Sequence, residues 1–254
     1  MAVFAEGETK PVESANVVGF QEYTGSGLLW TVPTFVNIGT DGANMTVGDI
    51  KVNDKFVQGE DSIRIFGTDG KQKYELSYLC AEDAESEGVY EGWYTTDAFG
   101  DWDFSECMNS EKLPYGSGIV FAPANAGAAL KYVGEVFADS KVISFSENGL
   151  FWTGNTSPVD LTLGDIKVNG KFVQGEDAIR IFGTDGKQKY ELSYLCKEDA
   201  EAESATEGWY TTDAFGDWDF SDCKNEDPLN AGDGFVLAPA NVGAGVIVKN
   251  PVSK

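Results

Sequence analysis

The chain repeats itself. The run GDIKVNDKFVQGEDSIRIFGTDGKQKYELSYLC ends at Cys80 and returns as GDIKVNGKFVQGEDAIRIFGTDGKQKYELSYLC, ending at Cys196, an offset of 196 − 80 = 116 residues. The offset holds without a gap from Gly48/Gly164, through Trp93/Trp209 and Cys107/Cys223, to Asn125/Asn241. A unit this long exceeds a solenoid repeat, which is roughly 20–45 residues, so each copy is expected to carry its own core. The expected organisation is an N-terminal extension at 1–13, one β-domain at 14–135 and a second at 136–254. Upstream of the identical run the copies diverge. The first is longer between Trp30 and Gly48 than the second is between Trp152 and Gly164.

The pattern within each copy is β. Ser62–Phe66 alternates apolar and polar, Asp69-Gly70 is a hairpin signal, and Tyr74–Tyr78 alternates back. DIKVN and KFVQG read as short strands, GWYTT and DWDFS as a pair around DAFG, and GIVFAPA and ALKYVGEV as closing strands. Turn signals at this spacing predict an all-β fold of two tandem antiparallel β-sandwich, jelly-roll-like domains. AEDAESEGVYEG and KEDAEAESATEG are so acidic that they read as exposed loops or frayed turns.

Charge and composition limit the function. The 254 residues carry 42 acidic and 18 basic side chains, net −24, a field that repels phosphate backbones and anionic headgroups. Nucleic acid is a poor partner, and no apolar run is long enough to span a membrane. Histidine is absent, which removes the commonest general base and zinc ligand. The remaining route to an enzyme is a pair of carboxylates of the hydrolase type. No phosphate loop, dinucleotide fingerprint or nucleophile elbow is present, and the expectation is that this is not an enzyme. The opening MAVFAE resembles the end of a cleaved secretory signal, which places the chain outside the cell or at its surface.

Each copy holds two cysteines at the same spacing, Cys80 with Cys107 and Cys196 with Cys223. In an exported protein this predicts one disulfide per copy; two free thiols are the alternative.

EGWYTTDAFGDWDFS occurs twice without change, at Glu91–Ser105 and Glu207–Ser221. Alternation along DWDFS puts Trp102 and Phe104 on the core side and Asp101 and Asp103 towards solvent. Asp97, Asp101 and Asp103, with Asp213, Asp217 and Asp219 in the second copy, are candidate calcium ligands. Solvated aspartates are the competing reading. No other cofactor is implied. Trp93, Tyr94 and Phe99, with Trp209, Tyr210 and Phe215, are candidates for a sugar-stacking platform; aromatic residues in strands more often belong to cores.

Three segments, SANVVGFQ, GLFWTGNTSPVDLTLGDI and GDGFVLAPANVGA, resemble a loosely defined group of secreted bacterial proteins of unknown function built from duplicated β-domains. The resemblance implies export and a β-fold and brings no catalytic residues. Asn155-Thr156-Ser157 and the acidic cysteine-bounded loop depart from the group's pattern. Two functions remain in view. One is a secreted or surface-displayed structural subunit that assembles head to tail into a fibre or layer. The other is a tandem carbohydrate-binding, lectin-like protein whose partner is an extracellular polysaccharide.

Overall fold

The computed structural model describes residues 2–3, 12–13, 18–25, 27–36, 45–67, 71–96, 101–113, 116–136, 141–144, 147–212 and 217–249. It is mostly β-strand, in several antiparallel sheets with few helices. No helix among the described residues is long and apolar enough to cross a membrane.

The two copies build the same sheets in the same order. In the first, the large sheet runs Trp102–Asp103, Gly92–Thr96, Gln72–Leu79, Ser62–Phe66, Ile119–Ala122, Leu29–Thr31. In the second it runs Gly208–Thr211, Gln188–Leu195, Ala178–Phe182, Gly234–Ala238, Phe151–Gly154. A single bridge, Thr212 to Trp218, stands where the first copy has its outermost strand. A smaller sheet centres on Ala129–Val136, between Val18–Thr24 on one side and Phe35–Val36 and Lys51–Val52 on the other. Its counterpart centres on Gly245–Val248, between Lys141–Ser144 and Ile166–Val168.

Period-two alternation explains where the cores lie. Ile63, Ile65, Leu76, Trp93, Ile119 and Phe121 point from the large sheet into one buried cluster, and Leu130 and Tyr132 enter it from the smaller sheet. Ile179, Leu192, Trp209, Phe235 and Leu237 do the same in the second copy, with Val246 and Val248 opposite. On the other face of the large sheet Arg64 pairs with Glu75 at 3.2 Å, and Arg180 with Glu191 at 2.8 Å.

Two local expectations are corrected. KFVQG is a turn, not a strand, because the buried Asp61 gathers the backbone there. Its carboxylate accepts N–H bonds from Val57 at 2.6 Å, Ala124 at 2.7 Å and Asn125 at 2.9 Å. Asp177 does the same with Val173, Ala240 and Asn241. A carboxylate with three amide donors offsets its own burial and pins two loops together.

The acidic segments are helices, α1 at Ala81–Glu87 and α2 at Lys197–Ala202. Two acidic residues of each fall in the first turn, where the helix dipole favours them (Glu82 and Asp83, Glu198 and Asp199), while Glu85, Glu87 and Glu201 lie beyond it. Ala84 and Ala200 are buried beneath them, and Gln58 and Gln174 donate to Asp83 and Asp199.

Candidate functional site

The strand Gly92–Thr96 of the repeated aromatic stretch starts with a glycine for a steric reason. A Cβ at Gly92 would lie 2.3 Å from the Asn109 side chain. That side chain fastens the strand start. Its Oδ1 accepts the Trp93 N–H at 3.0 Å and its Nδ2 donates to the Glu91 carbonyl at 3.0 Å. Asn225 holds Gly208 and Trp209 in the same way. Trp93 then enters the main core, wholly buried, edge-on to Tyr78 and Phe56, and donates through Nε1 to the Ile50 carbonyl at 3.1 Å. Trp209 is equally buried and donates to Ile166 at 2.9 Å.

Tyr94 points to the opposite face and is also buried, in a small cluster with Leu79 and Ala84 under α1. Its hydroxyl donates to the Tyr90 carbonyl at 2.8 Å. Burial, then the neighbouring Cys107, pushes the Tyr94 phenol up to about 12. Tyr210 repeats this with Thr206 and Cys223. Trp93, Tyr94, Trp209 and Tyr210 therefore do not form an open sugar platform. Their apolar surface is spent on two cores. Phe99 and Phe215 lie outside the described residues.

Trp102 and Phe104 cover the Tyr94 cluster, while Asp101 and Asp103 are exposed, as the alternation predicts. Asp217 and Asp219 are exposed likewise. Asp103 Oδ1 accepts the Ser105 N–H at 2.9 Å, and the Ser105 hydroxyl and amide hold its carboxyl below the usual range. Asp219 has the same arrangement with Ser221. Among the described residues no three acidic or cysteine side chains gather to hold a metal ion. Asp97 and Asp213 lie outside them.

The expected disulfides are not formed; all four cysteines are free thiols. The two sulfurs of a copy have separate surroundings. Cys80 faces Asp83 at the start of α1, at 3.4 Å, whereas Cys107 packs against the Tyr94 cluster. Cys196 and Cys223 are placed alike.

The structure brings together a second set of residues, at the edge where the copies meet. Trp30 and Trp152 hold equivalent positions, and their rings stack at 4.5 Å. Phe182 lies 4.7 Å from Trp30, and Phe66 lies 4.4 Å from Trp152. The backbone contacts are reciprocal. Gly118 sits against Trp152 and Thr153, donating to the Trp152 carbonyl at 2.7 Å, and its counterpart Gly234 sits against Trp30 and Thr31. Tyr23 rests on Gly232, and its counterpart Ile143 rests on Gly116. When residue i of one unit meets j of the other, and j meets i, the interface is isologous and two-fold. The copies are thus joined by a pseudo-two-fold junction. It is tied further by Val32 N–H to Gly232 O at 2.9 Å, by the Thr31–Asp233 bridge and by Gln21 to the Ala231 carbonyl at 2.5 Å.

No known family matches. Neither a similar curated protein nor a similar solved structure was found.

Sequence reasoning missed the junction, and one signal pointed to it. Trp30 and Trp152 are retained at the border of the segment where the copies diverge. A large aromatic kept there needs a partner, and in each copy the partner is the other's tryptophan. The anchors Asp61 and Asp177 were missed because a buried aspartate looks like any surface acid in a chain this acidic.

Proposed function

We propose that this is a secreted structural protein, a self-assembling subunit of an extracellular fibre or layer, and that each copy is a two-sheet β-sandwich. The observation that carries the reading is the pseudo-two-fold junction, which fastens two equal units into one stiff body. The sheet order supports it further. Leu29–Thr31 and Phe151–Gly154 lie at the junction edge of the large sheets, so Trp102–Asp103 and the Thr212–Trp218 bridge lie at the two far edges. Both far ends therefore present the same feature, and contacts between molecules would pair like with like, not head with tail. Exposed sheet edges are natural pairing sites, and charged residues on them suppress pairing. Asp101, Asp103, Asp217 and Asp219 put carboxylates at these edges, so assembly calls for a counter-cation. The likeness of three segments to secreted duplicated β-domain proteins supplies the compartment.

Electron microscopy and size exclusion across protein concentration, with and without calcium, test the reading. Ordered fibres or sheets are the expected outcome, lost when Asp103 and Asp219 are replaced by lysine. A monomer that persists under every condition refutes it. The polysaccharide-binding alternative loses its main support, because the aromatic residues that suggested it and fall among the described residues are core.

A further inference from the structure

The junction is not symmetric throughout, and the departure opens a cavity. On the second-copy side, Trp30 Nε1 donates to the Gly183 carbonyl at 3.3 Å. Gly27 and Leu28 close over the same hairpin, with Leu28 N–H bonded to the Thr184 carbonyl at 2.8 Å. On the first-copy side the equivalents behave differently. Gly149 and Leu150 lie along Ala238–Ala240 of their own copy. Trp152 Nε1 is shielded from solvent and has no hydrogen-bond acceptor among the described residues. Gly67, the counterpart of Gly183, instead lines a cavity of about 390 Å³ shared by the two copies, with Ile65, Phe66, Leu113, Phe151 and Trp152 as its apolar walls.

The cavity falls in the size range of small-molecule sites, roughly 300–1,000 Å³. Its mouth carries Lys73 and Lys112, with Ser117 and Glu111 between the walls. Glu111 binds Lys73 at 2.7 Å, so this group of three charges is positive by one in a chain whose total is −24. Phe66, Phe151 and Trp152 give the space aromatic walls, which suit a flat aromatic ring.

We propose that this junction cavity binds a small aromatic monoanion, an aryl carboxylate or sulfonate. The ring lies among Ile65, Phe66, Leu113 and Phe151, and the anionic group meets Lys112 and Lys73 at the mouth. The site is separate from the far sheet edges, so it holds or falls independently of assembly.

Titration of the full chain with 8-anilinonaphthalene-1-sulfonate, followed by dye fluorescence, tests the proposal. One saturable site is expected. Ser117→Phe, which fills the cavity, and Lys112→Glu, which reverses an exposed charge without touching a core, should each weaken binding about ten-fold or more, equal to about 1.4 kcal/mol. Phe20→Ser removes an exposed apolar ring from the Val18–Thr24 strand, outside the cavity walls, and should leave binding unchanged. No saturation up to about 1 mM dye, or saturation indifferent to both cavity variants, overturns the proposal. So does binding that disappears with Phe20→Ser.

Discussion

The repeated aromatic stretch and the junction differ in how they use the duplication. The stretch is identical in both copies, and its tryptophans meet identical neighbours: Trp93 meets Tyr78 and Phe56, and Trp209 meets Tyr194 and Phe172. At the junction, equivalent positions face each other and need not stay the same. Val32 and Gly154 are counterparts, and the Val32 side chain fills the space that Gly154 leaves open. Tyr23 and its counterpart Ile143 also differ, and each rests on a glycine of the other copy, Gly232 and Gly116. The core contacts of the stretch thus recur unchanged in each copy, whereas the junction keeps some counterparts, Trp30 and Trp152 among them, and lets others such as Val32 and Gly154 differ so that one fills the space the other leaves.

The largest expected effect tests the identical half of this comparison. Trp93→Ala and Trp209→Ala should each destabilise by about 3–5 kcal/mol, and by the same amount, in chemical denaturation. A clear inequality would show that the two cores are not equivalent.

Next comes an exchange at the junction. Gly154→Val only copies the first half's residue, yet its Cβ would lie 2.2 Å from the Asp233 carbonyl oxygen and 2.9 Å from Val32. A loss of about 2–3 kcal/mol is expected from overpacking, measured by thermal melting. A neutral result would mean that the two halves separate to accept it.

A smaller difference lies at the helix ends. Gly88 takes a left-handed conformation, φ 71°, after α1, and Ser204 takes the same role with φ 56° after α2. Ser204→Gly should stabilise and Gly88→Ser should destabilise, each by about 1 kcal/mol.

The smallest effect concerns Glu75. Burial raises its carboxyl, but the Ser62 hydroxyl bond at 2.9 Å and the Arg64 ion pair outweigh that and hold it below its usual value. Position 178 is alanine, so Glu191 lacks the hydroxyl. A lowered native carboxyl adds stability above its unfolded range and gives it up as pH falls through the native value. Ser62→Ala should therefore cost about 0.5–1 kcal/mol near neutrality, a difference that shrinks below about pH 4. A cost unchanged in acid would assign the loss to packing.

Much of this fold was legible because alternation is a local signal. Ile63 and Ile65, Trp102 and Phe104, and the strands around Phe121 and Leu130 lie as the pattern requires. Other features depend on partners distant in sequence. Asp61 turns KFVQG into a loop by gripping Ala124 and Asn125. Ala84 makes an acidic helix worthwhile only because a sheet lies beneath it. The burial of Tyr94 likewise depends on α1. The cysteine spacing suggested a pair, but spacing does not say which way a thiol points, and Cys80 and Cys107 face different groups.

The central claim, that the copies are locked together through the pseudo-two-fold junction, is tested most directly by amide hydrogen exchange at three sites. Leu28, Val32 and Gly118 donate their N–H groups across the junction, to Thr184, Gly232 and Trp152. These amides should exchange as slowly as those in the centre of the Gln72–Leu79 strand. Exchange at the rate of open loops, with that strand still protected, would contradict the account.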